Sequence, residues 1–341
     1  MARRIRSWTR VLPVVFAALI LTTLSGCSLY GGPQSVVPPK GDQMQTIWNL
    51  FVPIFWMSVI VFVIVQGLLI VAVIRFRQRP GGPPARQIHG NTKLELTWTI
   101  IPALVLAGIA VPTLTTIAKF AETPSNAITV RVVGHQWWWE FQYPEYGVVT
   151  ADEAHIPVGV PINWELESAD VIHSFWVPKL AGKTDVVPGN HNHMSYTAKE
   201  AGTYLGQCAE FCGIQHANMR FEVVAESMTD FNAWLDNQKK LAVKPAEQDT
   251  RATQGLQVFT SAGCEGCHTI NGVAITGKIG PDLTHFGERN CIAGCVLPNT
   301  PTDLATWLHN PQAVKEGTIM PNLHLSDEQV SDLVAYLGSL K

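Results

Sequence analysis

Two long apolar runs constrain the fold of this chain more than any other feature. They span residues 43–74 and 96–118, and neither contains a charged residue. Each is longer than the roughly 20 residues that a helix needs to cross the hydrocarbon core of a bilayer. The connecting segment, residues 75–93, contains five basic residues and no acid. Because basic loops remain in the cytoplasm, the sequence predicts a transmembrane hairpin over residues 44–119 with both ends outside.

The N-terminal residues are typical of an export signal. Four arginines in MARRIRSWTR precede the apolar run VLPVVFAALILTTL, which ends in LSGC. This pattern predicts a signal peptide over residues 1–26. LSGC also resembles the bacterial lipobox, which implies that Cys27 is lipidated at the start of a segment spanning residues 27–43. The alternative is an ordinary signal peptide with an incidental cysteine.

The pattern changes after the second apolar run. Between residues 127 and 226, short β-branched and aromatic runs alternate with Gly, Pro and Asn, which favours a β-sandwich or barrel over residues 120–235. Residues 236–250 are polar and are predicted to form a linker. Residues 251–341 have helical periodicity and predict a compact α-domain. The net charge of −3 indicates no nucleic-acid partner.

The seven cysteines suggest metal chemistry, because six of them form three closely spaced pairs. The segment CAEFCGIQHANM, residues 208–219, contains two thiols, an imidazole and a thioether. Zinc sites use Cys and His without Met, whereas this softer set suits copper. A further ligand must come from elsewhere, and His173 is the candidate. A lone His in an apolar strand can equally be a packed core residue.

The motif CEGCH, residues 264–268, indicates covalent haem attachment. Cys264 and Cys267 would form the thioethers, and the adjoining His268 would ligate the iron. The alternative, a redox C-x-x-C pair, lacks the immediate His. Met320 is the candidate sixth ligand because it is the only Met after the motif. Three histidines remain open as alternatives for that ligand: His285, His309 and His324.

The copper segment resembles that of cytochrome oxidase subunit II. HSFWVP, residues 173–178, followed by C-x-E-x-C-x-x-x-H-x-x-M matches the family's binuclear copper (CuA) centre. The resemblance implies two helices before a cupredoxin-like all-β sandwich, which is the order found here. It implies that two thiolates bridge the coppers and that two imidazoles, a thioether and a carbonyl complete the set. The implied ligands are Cys208, Cys212, His173, His216, Met219 and the carbonyl of Glu210.

The same resemblance implies three further roles. Trp137, the first Trp of GHQWWWEFQY, matches the position where electrons enter, although such residues also pack cores. Glu95 in LELTW matches the residue at the mouth of a proton channel into subunit I, although it can equally be a solvated helix end. The side chain matching Glu210 reaches a magnesium or manganese ion shared with subunit I. GPDL, residues 280–283, is similar to the segment that supports the haem-binding His in class I cytochromes c.

One segment departs from the family pattern. The family has an Arg after KTDVVPG, whereas this chain has Asn190 followed by His191 and His193. We interpret these histidines as polar turn residues, because no carboxylate or Cys flanks them. Cys291 and Cys295 remain once copper and haem have taken their thiols, and the outside location predicts a disulfide between them. Gly294 provides the turn that the bridge needs.

The resemblance implies a multi-domain subunit II of a haem–copper cytochrome c oxidase in the bacterial plasma membrane, with a C-terminal all-α cytochrome c domain. Electrons would pass from cytochrome c or a quinol–cytochrome c reductase complex to haem c, then to CuA and to subunit I. There, oxygen would be reduced to water with proton pumping. Other oxidase subunits and membrane lipid are the implied partners. The alternatives are the copper subunit of a nitric oxide reductase, the copper domain of nitrous oxide reductase, and a metal-holding lipoprotein sensor or assembly factor.

Overall fold

The computed structural model describes residues 32, 34–78, 80–82, 87, 89–246, 248–274 and 277–341. The predicted signal peptide and the lipidation candidate Cys27 lie outside these residues. Two long helices come first, α1 (Asp42–Arg75) and α2 (Thr92–Phe120). Both are long and apolar enough to cross a membrane, and their apolar side chains point outward. The Asn91 side chain caps α2 by accepting hydrogen bonds from the first free amides of the helix.

A β-sandwich follows, built from two five-stranded sheets with the strand orders β3-β2-β1-β5-β8 and β4-β10-β9-β6-β7. Most neighbouring strands are antiparallel, but β1 pairs with β5 and β4 pairs with β10 in parallel. The strands are β1 (Ile128–His135), β2 (Trp138–Tyr143), β3 (Val148–Ala151), β4 (Glu153–Pro157), β5 (Ile162–Ser168), β6 (His173–Trp176), β7 (Thr184–Val186), β8 (Asn192–Tyr196), β9 (Gly202–Cys208) and β10 (Arg220–Glu226).

Alternating burial explains why these residues form a two-layer structure. In β1, β2, β9 and β10 every second side chain is buried between the sheets. The core contains fully buried aromatic rings in edge-to-face and stacked pairs, among them Trp139, Phe141 and Phe175. The cupredoxin-like sandwich predicted from the sequence is therefore confirmed.

The C-terminal part is a helical domain. Helix α3 (Met228–Gln238) leads out of the sandwich, and α4 (Thr250–Ser261), α5 (Pro301–His309), α6 (Pro311–Val314) and α7 (Asp327–Gly338) follow. A short hairpin, β11 (Cys291–Ile292) and β12 (Leu297–Pro298), lies between α4 and α5. Helices α4 and α7 cross closely at Gly255, where an added Cβ would lie 2.1 Å from the Asp332 carbonyl oxygen. The predicted helical domain is therefore confirmed, and the β11–β12 hairpin is an addition to it.

The chain between the two domains is held against the cytochrome domain. The buried ring of His285 lies within hydrogen-bond distance of the main-chain oxygens of Gln238 and Lys240, at 3.2 and 3.1 Å. The side-chain amide of Asn237 donates to the Glu288 carboxylate. The main-chain N–H of Ala242 donates to the main-chain oxygen of Asn271. The segment that leaves the sandwich is therefore fixed to the cytochrome domain at several points.

Candidate metal centre and haem cavity

The loop between β9 and β10 carries most of the predicted copper ligands. Cys208 is the last residue of β9, and its amide donates to the Met219 oxygen over 2.9 Å, which closes the loop. His173 is the first residue of β6, and β6 pairs with β9 through Phe175 and Cys208. Strand pairing therefore brings a distant imidazole next to the cysteine loop.

The six predicted donors converge at one place. The Cys208 sulfur lies 3.8 Å from the Cys212 sulfur, 3.9 Å from His173 Nδ1 and 3.2 Å from the Glu210 oxygen. The Cys212 sulfur lies 3.6 Å from His216 Nδ1 and 3.8 Å from the Met219 sulfur. His173, Cys208, Cys212 and Met219 are buried. A buried cluster of thiols, imidazoles and a thioether fits a soft metal pair such as two coppers.

Asp170 orients the His173 ring. The Nε2 atom of His173 lies 2.7 Å from the Asp170 carboxylate, so the ring donates its proton there and keeps Nδ1 free toward Cys208. Metal-binding histidines commonly donate their second ring nitrogen to a carboxylate in this way. Burial acts to lower the pKa of His173, but the hydrogen bonds to Asp170 and Cys208 outweigh it, so the pKa is raised.

The contact between the two thiols shifts their pKa values in opposite directions. The hydrogen bond with Cys212 lowers the pKa of Cys208 well below its usual range, and His173 acts in the same direction. The pKa of Cys212 is raised in turn by that hydrogen bond and by burial. One thiolate is thus formed readily, and thiolate is the form that binds metal.

Trp137 forms a hydrogen bond with the copper loop. Its indole Nε1 donates to the main-chain oxygen of Cys212 over 3.0 Å, and the side-chain amide of Gln136 donates to the same oxygen over 2.7 Å. Trp137 is only 9 % exposed. Its neighbour Trp139 packs in the core against the His173 ring, with ring centroids 5.8 Å apart. Two of the three clustered tryptophans therefore contact the copper loop or a predicted ligand.

All four predicted haem residues line one apolar cavity of the C-terminal domain: Cys264, Cys267, His268 and Met320. His268 Nδ1 donates to the Pro281 oxygen over 2.8 Å, which fixes the ring and leaves Nε2 available. Burial lowers the pKa of His268, so the neutral, ligating form is favoured. These residues fit a covalently attached haem. The cavity also reaches Trp137 and Trp138 of the copper domain.

The three alternative histidines lie elsewhere. His285 contacts the chain between the domains, and His309 lies 3.6 Å from Asp327. His324 is exposed in an irregular segment before α7. None of them lines the haem cavity, whereas Met320 does. The side-chain amide of Gln312 donates to the main-chain oxygen of Met320 over 3.0 Å and to that of Thr318. These bonds fix the main chain around the methionine.

The remaining candidates occupy separate places. Glu95 lies in the first turn of α2, where its carboxylate accepts a hydrogen bond from the Asn91 amide. The Glu210 carboxylate is near the surface, 3.9 Å from Lys183 Nζ. His191 lies 2.9 Å from Glu167, and His193 lies 3.3 Å from the Ala121 oxygen. Within the described part of the chain, the one metal-binding group found is the copper cluster.

The structure joins Cys291 and Cys295 by a disulfide. The intervening residues form a tight turn, in which Ala293, Gly294 and Cys295 all have positive φ angles. This turn lies against the copper domain. The Gly294 amide donates to the Asp152 carboxylate over 3.0 Å, and the Arg220 amide donates to the Gly294 oxygen over 3.1 Å.

Three residues at these sites were not predicted from the sequence. Asp170 precedes His173 by three residues, and that spacing is a usable signal for a supporting carboxylate. Asp152 and Lys315 are both buried where the domains meet, and neither belongs to a motif. Burial raises the pKa of Asp152, while hydrogen bonds and the charge of Lys315 oppose the shift. Burial lowers the pKa of Lys315 to about 8, with Asp152 opposing.

The fold and the donor sets define a membrane-anchored electron-transfer protein with a cupredoxin domain and a cytochrome c domain. Comparison with known families agrees. Residues 37–116 match the transmembrane domain of cytochrome c oxidase subunit II, residues 148–227 match its periplasmic domain, and residues 252–341 match cytochrome c.

Two curated relatives give the same result. Cytochrome c oxidase subunit 2 of Alkalihalophilus pseudofirmus is 40% identical, with 98% of this chain and 97% of the relative covered. The Bacillus subtilis protein of that name is 32% identical, with 96% and 97% covered. The crystal structure of the periplasmic domain of the Bradyrhizobium japonicum subunit II is 28% identical, with 35% of this chain and 97% of that chain covered and a TM-score of 0.34. The chain belongs to the cytochrome c oxidase subunit II family.

This membership confirms the main expectations from the sequence. The chain is the electron-transfer subunit of a haem–copper terminal oxidase and a membrane protein whose copper domain lies on the outer face. It carries CuA copper and haem c, and subunit I is its partner. The comparisons give no support to the reductase subunits or the metal-holding lipoprotein considered above.

Proposed function

We propose a specific set of residues for the relay of electrons through this subunit. Haem c is bound by Cys264, Cys267, His268 and Met320. The copper pair is bound by Cys208, Cys212, His173, His216, Met219 and the Glu210 carbonyl. The bound haem and copper supply the one-electron redox chemistry, and the protein residues fix their positions. The observation that carries this proposal is the convergence of the predicted donors around Cys208 and Cys212.

Trp137 is the proposed connection between the two sites. Its side chain lines the haem cavity, and its indole N–H donates to the Cys212 carbonyl. It is thus one residue in contact with both cofactor sites. A buried aromatic ring held by a hydrogen bond has little freedom to move, which favours a constant distance between donor and acceptor.

The electron donor is proposed to be a c-type cytochrome or a quinol–cytochrome c reductase complex. The cytochrome domain contains five basic and eight acidic residues in positions 251–341. A negative surface attracts a basic donor and makes association sensitive to salt. The rate of haem c reduction by a basic cytochrome c should therefore fall as ionic strength rises, whereas transfer from haem c to copper should not.

Three further roles are proposed on the family resemblance. Glu95 stands at the mouth of a proton channel into subunit I, and its place in the first turn of α2 leaves the carboxylate exposed. The Glu210 side chain contributes to a magnesium or manganese site shared with subunit I. Cys27 is lipidated and adds a second attachment to membrane lipid.

The Cys208→Ser variant tests the copper assignment. A hydroxyl is a much poorer ligand for a soft metal than a thiolate, so the purified oxidase complex should lose the near-infrared copper band and its copper pair. The control is Met228→Ala, which removes a thioether sulfur at an exposed position outside the copper loop and should keep the band. A wild-type protein that binds a single zinc tightly and never shows the band would disprove the assignment.

A further inference from the structure

The contact between the two domains contains a buried lysine. Lys315 belongs to the cytochrome domain and is only 2% exposed. Its Nζ donates to the main-chain oxygen of Trp137 in the copper domain over 2.6 Å. It also donates to the Ala293 oxygen of its own domain over 2.8 Å. A buried ammonium group with two carbonyl partners is a costly feature, so its place at this contact calls for a function.

The turn that accepts from Lys315 is shaped to fit the copper domain. Residues 290–295, here called the docking loop, contribute three main-chain hydrogen bonds across the boundary. The Asn290 amide donates to the Glu153 carboxylate, the Gly294 amide donates to the Asp152 carboxylate, and the Gly294 oxygen accepts from the Arg220 amide, each over 3.0–3.1 Å. Main-chain groups held in this way require a fixed loop shape, which the disulfide provides.

Gly294 is a point at which the two domains approach each other closely. Its φ angle is +73°, and an added Cβ would lie 2.5 Å from Lys315 Nζ. The same Cβ would lie 2.9 Å from the Asn218 oxygen and 3.0 Å from the Trp137 oxygen, which both belong to the copper domain. Only glycine allows the two domains to come this close here.

We propose that Lys315 is a positioning residue: with the docking loop it fastens the cytochrome domain to the copper domain and holds Trp137 between the haem cavity and Cys212. The carboxylate of Asp152 supplies the opposite charge on the copper domain, where it also accepts from the Trp139 amide over 2.9 Å. One continuous set of hydrogen bonds then runs from Lys315 through Trp137 to the Cys212 oxygen.

This proposal rests on the proposed function, in which Trp137 lies on the electron route. The test is the Lys315→Met variant in the purified oxidase complex with copper and haem bound. Methionine has a similar length but donates no hydrogen bond. Lys278→Met, at an exposed lysine of the same domain, is the matched control. The first measurement is hydrogen exchange of the Gly294 and Arg220 amides, which open only when the domains separate.

We expect both amides to exchange about tenfold faster or more in Lys315→Met, as loss of a buried charged hydrogen bond implies. Amides of α7 and of β5, away from the boundary, should keep their wild-type exchange, and the haem and copper bands should be unchanged. Light-triggered transfer from haem c to copper should slow, and Lys278→Met should match the wild type in every respect. Unchanged exchange at both Gly294 and Arg220 would overturn the proposal.

A second variant covers the case in which Lys315→Met does not fold. Gly294→Ala adds one methyl group facing the copper domain, and Gly159→Ala is its control, because Gly159 has a φ of +79° and open space at Cβ. Faster exchange of the Arg220 amide in Gly294→Ala alone supports the docking contact, and equal exchange in the two variants refutes it. A Trp137→Phe variant with wild-type transfer would instead refute the proposed electron route and leave the docking result standing.

Discussion

The indole nitrogen of Trp137 donates a hydrogen bond to the main-chain oxygen of Cys212 over 3.0 Å. This bond connects a residue that lines the haem cavity with the loop that carries the predicted copper ligands. It also provides an acceptor for the buried indole N–H, which would destabilise the fold if it were left unpaired. Trp137 is therefore constrained at both ends, since Lys315 donates to its carbonyl.

The carboxylate of Asp170 should be needed for full copper affinity. Asp170→Asn weakens the acceptor that orients His173, and loss of such a partner typically costs about tenfold to a hundredfold in metal affinity. Competition with a copper chelator, followed by the near-infrared band, measures the change. Asp236→Asn, at an exposed aspartate on α3, is the control and should behave as the wild type. Equal affinity in both variants would show that Asp170 has no role in metal binding.

Met320 should be the sixth ligand of the haem iron. Met320→Ala should abolish the weak far-red sulfur-to-iron absorption of the ferric protein and lower the reduction potential, because thioether ligation raises the potential. Met228→Ala, at a largely exposed methionine, is the control. A far-red band that survives in Met320→Ala would point to another ligand.

The His155 cluster should make stability depend on pH. Burial lowers the pKa of His155, but hydrogen bonds with Glu153 and Glu226 outweigh it, so the folded pKa lies above the ordinary value of 6.5. The charged ring, stacked on Trp234, therefore stabilises the fold below pH 6.5, and this contribution is lost as pH rises through the folded pKa.

The variant His155→Gln isolates this effect. It should lose about 1–3 kcal/mol of stability in acid through the missing charged hydrogen bonds, and its deficit should shrink at alkaline pH. Thermal unfolding of the detergent-solubilised chain at several pH values gives the comparison. His324→Gln, at an exposed histidine, is the control. A deficit that stays constant with pH would contradict the assignment.

The Cys291–Cys295 bridge should contribute to stability rather than to redox chemistry. The Cys291→Ser/Cys295→Ser variant should keep its haem spectrum and lose about 2 kcal/mol, because the bridge closes a very short loop. Labelling of free thiols in the unreduced, denatured wild-type protein checks the pairing first. Two labelled cysteines at these positions would show that no bridge forms.

The sequence was sufficient to predict the sites that lie in short motifs. The copper loop and the CEGCH motif each hold several ligands within twelve residues or fewer, so spacing alone indicated the chemistry. His173 needed the family resemblance, because strand pairing brings it to the loop from 35 residues away. Lys315 and Trp137 are 178 residues apart, and no local pattern reports a contact of that kind.

The domain order was likewise predictable from hydropathy and periodicity, because each part has its own pattern. The way the domains fit together was not, since it depends on main-chain groups of the turn at Gly294 and on buried charges at Asp152 and Lys315. Main-chain hydrogen bonds leave little trace in residue type. Gly294 is the part of this contact that is visible in the sequence, and many glycines form turns that contact no other domain.

Light-triggered reduction of haem c in the purified oxidase complex tests the central claim most directly. The haem α band and the near-infrared copper band are followed together in the wild type and in Trp137→Phe. We predict that the haem is reoxidised at the rate at which the copper band bleaches, and that both rates fall in Trp137→Phe. A haem that stays reduced while the copper band is unchanged would contradict the relay through this subunit.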